Sequence, residues 1–136
     1  MDADAAREFI RANGRGVLAT YRSDGNAQMS PVDAVIDDDG YAVISSRETA
    51  MKVRNLRRDP RATFCAFTQA FYGDWVYVEG AVDLVSLPAA MDGLVAYYRR
   101  AAGEHPDWDE YRAAMVSERR MLIRIAIDRA GPNVAG

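Results

Sequence analysis

The residues best suited to chemistry lie in one basic stretch near the middle of the chain. Between Arg47 and Arg61 there are six basic and two acidic side chains, a net charge of +4, whereas the whole chain carries −3, so the remainder carries −7. Such a concentration of charge in an acidic protein favours an anionic ligand at one site, because a general polyanion binder spreads its positive charge over a face. A solvated, basic helix surface is the alternative interpretation.

A short helix is predicted to carry these charges. Thr49 can cap its first turn, Pro60 ends it, and its apolar side includes Val53 and Leu56. Lys52 lies at the margin of that side, about 40° round from Leu56. We therefore expect Lys52 to lean into a cleft between helix and sheet.

Two serines lead into this helix. Ser45 and Ser46 end a predicted strand directly before the helix N-terminus. Neutral donors, the positive end of a helix dipole and the Lys52 ammonium are the parts of a phosphate site. Arg54 and Arg58 are expected to point to water.

Other candidate residues fit structural roles. The three aspartates at 37–39 predict a hairpin turn, because a calcium loop spaces its ligands at alternate positions. His105, the one histidine, has no nucleophile or carboxylate paired with it in sequence and is expected in a surface turn. Cys65, the one cysteine, excludes an internal disulfide and a cysteine-based metal site, and we expect a buried, unreactive thiol.

The surrounding elements are predicted to be mainly short strands. Pro31 makes the second strand an edge or a bulge, where the backbone is free to face a ligand. Strands are predicted at 16–21, 27–36, 41–46, 61–67, 75–85 and 121–127, and helices at 4–12, before Pro60, from Pro88 to Arg100 and after Asp107, with a loose tail or edge segment at 128–136. Antiparallel strands with short links are typical of a closed or split barrel, because closure removes exposed edges.

Length and composition indicate a single domain, 1–136. With 49% hydrophobic and 27% charged residues the chain can form an ordinary core. No apolar run approaches a membrane span and the acidic start differs from a signal peptide, so we expect a cytoplasmic protein without a membrane partner. Motifs of the common nucleotide, metal and hydrolase sites do not occur in the sequence.

Several segments, in this order and spacing, resemble one family. They are 16–20 with Asp24-Gly25, Ser30-Pro31-Val32, 52–62, Val78-Glu79-Gly80 and 98–116. Together they resemble the pyridoxamine phosphate oxidase-like split-barrel proteins, and within them the actinobacterial branch that uses the deazaflavin coenzyme F420. The resemblance covers nearly the whole chain.

This resemblance implies a mainly β fold with flanking helices (α+β), a six-stranded antiparallel split β-barrel of the FMN-binding type. It implies a homodimer whose cofactor groove lies at the subunit interface. Lys52 would grip the cofactor phosphate, Ser45 and Ser46 would line the same pocket, and Trp75 and Tyr77 would reach across from the other subunit.

The resemblance also implies roles for the strand edge and the helix. Ser30, Pro31 and Val32 would lie beside the cofactor ring, while Asn55 and Arg58 would contact its tail. The implied activity is hydride transfer from the reduced cofactor to a small electron-poor acceptor of the enone, quinone or tetrapyrrole type. Since the cofactor carries this chemistry, no catalytic side chain is assigned.

Two departures from the family pattern limit the function. Ala50 occupies a position where some relatives have an arginine. The binding of an anionic cofactor tail is therefore expected to be weaker or to use other residues. The chain also lacks the Trp- and Arg-rich C-terminal segment of true pyridoxamine phosphate oxidases, so vitamin B6 oxidation is not expected.

The choice of cofactor rests on charge. Coenzyme F420 carries a phosphodiester and a string of glutamyl carboxylates, whereas FMN needs one compact phosphate cradle. Separated cations at Arg54, Arg57, Arg58 and Arg61 suit the longer anion, with FMN as the alternative. A dimer that binds a cofactor or hydrophobic ligand without turnover is a second hypothesis. Nucleic-acid binding through the basic helix is a third, opposed by the acidic remainder of the chain.

Overall fold

The computed structural model describes residues 1–70 and 72–133 of the chain. Within them the structure has four helices and eight strands. In chain order these are α1 Ala3–Ala12, β1 Arg15–Tyr21, β2 Ala27–Asp33, β3 Val35–Ile36, β4 Ala42–Arg47, α2 Met51–Arg58, β5 Arg61–Phe67, β6 Trp75–Val85, α3 Met91–Ala102, α4 Trp108–Ser117, β7 Arg120–Ile125 and β8 Arg129–Gly131.

The strands form one curled antiparallel sheet in the order β2-β1-β5-β6-β7-β4-β3, with β8 on β6. This confirms the mainly β split barrel with flanking helices. There are eight strands instead of the expected six for two reasons. The strand predicted at 27–36 breaks at Ala34, whose N–H bonds to the Gly14 carbonyl outside the ladder. Part of the predicted tail, Arg129–Gly131, pairs with β6, while residues 134–136 and Phe71 lie outside the described residues.

Strand β6 belongs to both halves of the barrel. Its first part pairs with β5 up to Ala81, and its last part pairs with β7 from Val82 onward. At the change of partner, a Cβ on Gly80 would lie 1.8 Å from the carbonyl oxygen of Ala126, so the close approach needs glycine. The first half of β6 alternates as predicted, with Val76 buried inside the barrel and its neighbours facing out.

Two apolar clusters cover the two sides of the sheet. The interior cluster joins the strands to α1 and α2 and includes Ile10, Val53, Leu56, Phe64 and Ile123. The second cluster packs α3 and α4 against the opposite side of β4 and β7. Because the apolar side of α2 packs into the interior cluster, the helix has one orientation, and this sets the direction in which each of its other side chains leaves the backbone.

Side-chain caps begin two of the helices. Asp2 accepts from Ala5 N–H at 2.7 Å at the start of α1, and Asp107 accepts from Glu110 N–H at 3.1 Å at the start of α4. The predicted Thr49 cap of α2 is wrong, because a turn from Arg47 to Ala50 moves the start of the helix on by one residue. Within the described residues, every helix is too short or too polar to cross a bilayer.

Candidate functional site

Lys52 lies on α2 at the edge of the interior cluster and faces strand β2. Its Nζ donates a hydrogen bond to Ser30 Oγ at 3.2 Å. Burial, and next the charge of Arg120, lower the pKa of Lys52 from its ordinary value of 10.5. Among the described residues no carboxylate pairs with this ammonium group. Lys52 is therefore a half-buried cation whose protein partner is a neutral hydroxyl.

The side chain of Lys52 borders a groove of about 420 Å³, here called the cationic groove. It is lined by Pro31, Val32, Asp33, Ile44, Ser45, Ser46, Arg47, Thr49, Ala50, Lys52 and Arg120. Three of these side chains are cationic and one is a carboxylate, so the groove favours an anion. A larger cavity, about 640 Å³, lies at the C-terminal end of α1 and contains none of the residues predicted for the cofactor.

The strand residues predicted for the site do converge on this groove. Ser45 and Ser46 line it from β4, and Pro31 and Val32 line it from β2. Ser46 is buried, with 4% of its surface exposed. Strand β2 is at the end of the sheet order and pairs with β1 alone, so Pro31 lies on an edge strand as predicted. Its free backbone edge can face a ligand.

Two arginines line the cationic groove that were not predicted as site residues, although Arg47 belongs to the basic stretch noted in the sequence. Arg47 ends β4, and Arg120 begins β7 directly opposite it in the pairing of the two strands. Arg120 Nε and Nη2 donate to Glu118 Oε1 at 3.2 and 3.0 Å, and Arg47 Nη2 donates to the same oxygen at 3.0 Å. These hydrogen bonds, that of Arg47 first, lower the pKa of Glu118. The two arginines are brought together only by the register between β4 and β7. No local sequence motif indicates that they are close.

Asn55 and Arg58 do not line the cationic groove. Asn55 is 1% exposed, and its Nδ2 donates to Thr20 Oγ1 at 3.1 Å. Arg58 Nη2 donates to the Tyr21 carbonyl at 2.6 Å and to Asn55 Oδ1 at 3.2 Å, so its guanidinium does not point freely to water. Both side chains tie α2 to strand β1.

The other arginines expected to suit a long anion are also placed elsewhere. Arg57 pairs with Glu48, and Arg61 pairs with Asp59 and lies over the Tyr21 ring at 4.3 Å. Arg54 is exposed and is not among the residues that line the groove. The positive charge of the groove comes instead from Lys52 and the two arginines at the strand ends.

Trp75 and Tyr77 lie on the outer face of the sheet, away from the groove of their own chain. The register places Pro31, Val17, Cys65 and Tyr77 in one row across four strands. The rings of Trp75 and Tyr77 stack with centroids 6.4 Å apart. Cys65 is half-buried instead of fully buried because it belongs to this outer row, and its burial still raises the pKa of its thiol.

His105 is half-buried in an aromatic cluster instead of lying in a simple surface turn. Its ring lies 5.0 Å from Tyr98, 5.5 Å from Tyr111 and 5.7 Å from Trp108, measured between centroids. Its Nδ1 accepts from the N–H of Asp107 at 2.9 Å, so Nε2 carries the proton of the neutral ring.

Known structures share this architecture. A conserved hypothetical protein of Mycobacterium tuberculosis is 24% identical with a TM-score of 0.79, over 100% of this chain and 93% of that one. An F420 reductase is 20% identical with a TM-score of 0.70, over 91% and 94% of the two chains. A heme binding protein of Mycobacterium smegmatis is 20% identical with a TM-score of 0.68, over 94% of this chain and 52% of that one. At sequence identities this low, the similarity of these structures establishes the fold alone.

The sequence itself establishes more than the fold. Residues 3–132 match the pattern of the pyridoxamine 5'-phosphate oxidase family. The match spans every strand and helix described above, including the three strands (β2, β4 and β7) and the helix that line the cationic groove. The chain therefore belongs to the pyridoxamine 5'-phosphate oxidase family.

Proposed function

We propose that this protein is a coenzyme F420-dependent oxidoreductase that reduces a small electron-poor organic acceptor. The observation that carries the proposal is the state of Lys52, a half-buried ammonium group without a carboxylate partner in the described chain. A desolvated cation without an opposite charge lowers the stability of the folded protein. A bound anionic ligand would offset this loss.

The residues around Lys52 fit an anionic group. The N-terminal turn of α2 has no side-chain cap, and Thr49 and Ala50 before it line the cationic groove. Free backbone N–H groups and a helix dipole at that point add to the attraction of the lysine for phosphate. Lys52, Ser30, Ser45 and this turn would hold the phosphate of the coenzyme.

The rest of the groove suits a longer anion than FMN. Arg47 and Arg120 lie on paired strand ends, separate from the uncapped turn of α2. Separated cations match a phosphodiester followed by carboxylates, and the shared fold with an F420 reductase agrees with this choice. FMN, with its single compact phosphate, is the runner-up within the same fold.

When bound, the reduced deazaflavin would supply a hydride, which the acceptor would take up together with a proton from solvent. The chain contributes binding and orientation to this reaction. Pro31 and Val32 on the edge strand would give the ring a flat apolar border, while Lys52 would fix the anionic end.

We also propose that the working form is a homodimer with the groove at its interface. The outer face of β2, β1, β5 and β6 carries exposed apolar side chains, among them Met29, Phe67 and Trp75. A second copy of the chain would cover them and complete the groove with the partner's Trp75 and the partner's Tyr77.

A dimer that binds its ligand without turnover is the second candidate. One observation favours it, which is the shared fold with a heme binding protein. This candidate predicts coenzyme or tetrapyrrole binding with no hydride transfer to any acceptor.

A turnover screen with reduced coenzyme F420 tests the proposal. Purified wild-type protein and Lys52→Ala are mixed with enone, quinone and tetrapyrrole acceptors, and affinity for F420 and FMN is measured alongside. We expect turnover by the wild type, and a loss of coenzyme affinity of about tenfold to a hundredfold in a folded Lys52→Ala variant. Tight FMN binding without F420 binding would overturn the choice of cofactor, and binding without turnover would favour the second candidate.

A further inference from the structure

Glu118 lies directly behind the two arginines of the cationic groove and does not line the groove itself. One of its carboxylate oxygens, Oε1, accepts from Arg47 Nη2 at 3.0 Å. The same oxygen accepts from Arg120 Nη2 at 3.0 Å and from Arg120 Nε at 3.2 Å. Three donors from two strands therefore meet at one atom of a residue that would not touch a ligand in the groove.

The turn between α4 and β7 brings Glu118 beside Arg120. Glu118 follows the last residue of α4, and Arg120 is the first residue of β7. Arg119, between them, has a φ of 54°, and among the described residues it alone combines a side chain with a positive φ. Its carbonyl accepts from the N–H of Glu48 at 3.0 Å, next to the end of β4. A contact with the neighbouring strand end thus holds this uncommon turn in place.

Glu118 occupies only part of each guanidinium. Within the part of the chain that the structure describes, no hydrogen bond involves Arg120 Nη1, and none involves Arg47 Nε or Nη1. A guanidinium binds a carboxylate through two parallel donors. Each arginine therefore keeps donors for a ligand while Glu118 holds it in place.

The charges of this set favour the same interpretation. Arg47 and Arg120 lie on paired strand ends and would repel each other without a carboxylate between them. The hydrogen bonds from Arg47 and then from Arg120 lower the pKa of Glu118, so this carboxylate is ionised at neutral pH. With Glu118 and Asp33 both counted against the two arginines and Lys52, an excess of one positive charge remains for an anion.

We propose that Glu118 is a positioning residue that holds Arg47 and Arg120 in the arrangement that binds the carboxylates of the coenzyme tail. This inference rests on the proposed function, because the coenzyme supplies those carboxylates. Glu118 acts through the arginines and touches neither coenzyme nor acceptor. Its removal should therefore weaken the binding of the tail, whereas the loss of a negative charge beside an anion site would by itself tighten it.

Two forms of the coenzyme measure this effect without turnover. One is coenzyme F420 with its glutamyl tail, and the other lacks the glutamyl residues. In calorimetry the wild type should prefer the full coenzyme about tenfold, because charge-assisted hydrogen bonds to the tail contribute this much. Glu118→Gln should reduce that preference to about twofold or less. A general disturbance of the fold would weaken both forms alike, so the ratio of the two affinities reports on the arginines.

Two other carboxylates serve as controls. Asp33→Asn removes the carboxylate that lines the groove and should tighten the binding of both forms by about twofold to fivefold. Glu110→Gln, at an exposed residue of α4 outside the groove, should change neither affinity. If Glu118→Gln instead tightens the binding of the full coenzyme, as Asp33→Asn should, the inference is overturned.

A double-mutant cycle tests whether Glu118 acts through an arginine. In an Arg120→Gln background, Glu118→Gln should reduce the tail preference less than it does in the wild type, because one of its two partners is absent. An equal reduction in both backgrounds contradicts the inference. Glu118→Asp, which keeps the charge on a shorter side chain, should give an intermediate preference and replaces Glu118→Gln if that variant does not fold.

The same measurements separate this inference from the proposed function. A wild type that binds neither form of the coenzyme counts against the proposed function. A wild type that binds both forms with equal affinity counts against the role of Glu118 alone, because the coenzyme is then bound without its tail.

Discussion

The environment of Lys52 disfavours the positive charge of its own side chain. Desolvation and the neighbouring Arg120 lower its pKa in the folded protein below the 10.5 of an unfolded chain. A lysine with a lowered folded pKa destabilises the fold while it is ionised; this cost is fully present below the folded pKa and declines as the pH rises from there to the unfolded value of 10.5. A lysine that lowers stability at this position is explained if Lys52 binds a ligand.

The first prediction concerns the stability of a variant without this charge. We expect Lys52→Met to keep or raise the melting temperature at neutral pH, because it removes a desolvated cation and loses one hydrogen bond to Ser30. Thermal unfolding followed by circular dichroism measures this. A clear drop in melting temperature, absent in Lys52→Arg, would show that Lys52 has a structural role.

The second prediction concerns pH. An anion binds the ionised lysine, so coenzyme affinity should fall as the pH rises through the pKa of Lys52, at a pH below 10.5. Dissociation constants measured from about pH 7 to about pH 10 would show this fall. In Lys52→Arg the fall should be absent over this range, because a guanidinium stays charged. An equal fall in both proteins would assign it to another group.

At this scale the sequence predicted the groove through local patterns. The serines, the Pro31 edge and Lys52 each stand at the end or the margin of a recognisable element, and the structure places them together. Arg120 could not be found this way, because its neighbour Arg47 is brought beside it only by the register of β4 and β7.

Asn55 shows how an element is positioned. The family resemblance implied that Asn55 contacts the cofactor tail, yet its amide is buried against Thr20 of β1. Thr20 in turn donates to Gln28 Oε1 of β2 at 3.2 Å. This chain of hydrogen bonds connects α2 to both strands, one helical turn away from the contact between Lys52 and Ser30.

The third prediction follows from this network. Asn55→Ala should lower the free energy of unfolding by about 2 kcal/mol, because it leaves a buried hydroxyl without its donor. Coenzyme affinity should fall as well, since α2 is no longer fixed. Urea denaturation measures the first effect. Asn13→Ala, which removes a longer, part-buried amide bond to Phe9, should cost less. A loss of affinity with unchanged stability would instead make Asn55 a direct ligand contact, as the family resemblance implied.

The predicted boundaries of helices and strands agree with the structure where the local side-chain pattern determines them. The strands predicted at 16–21 and 61–67 match β1 and β5 to within one residue, and the alternation predicted for the first half of β6 matches its buried and outward residues. The second predicted strand instead broke at Ala34, because a distant carbonyl, that of Gly14, took its N–H. Such a competition between partners far apart in sequence is not visible in a local pattern.

At the scale of the whole molecule, the described residues leave one face of the sheet uncovered. Met29 is 65% exposed and Phe67 is 46% exposed on the outer face that also carries Trp75 and Tyr77. Apolar side chains gathered on one face are typical of a surface that meets a partner. The predicted role of Trp75 and Tyr77, which do not reach the groove of their own chain, requires that partner to be a second copy.

The last prediction therefore concerns assembly. In light scattering, the wild-type chain should have twice the 15.0 kDa mass of one copy. The double variant Met29→Glu with Phe67→Glu should run as a monomer, because burying two unpaired carboxylates in an apolar interface is unfavourable. Val116→Glu, at a residue 60% exposed on α4, serves as the matched control and should remain a dimer.

Coenzyme binding links this assembly to the site. If the groove is completed across the interface, the monomeric variant should lose F420 affinity although Lys52 and Ser30 are unchanged, whereas Val116→Glu should retain it. A wild-type monomer, or a monomeric variant with full affinity, would mean that the single chain holds its ligand alone. In that case the partner's Trp75 and the partner's Tyr77 would not contribute to the site, and the cofactor ring would be covered by residues of the cationic groove alone.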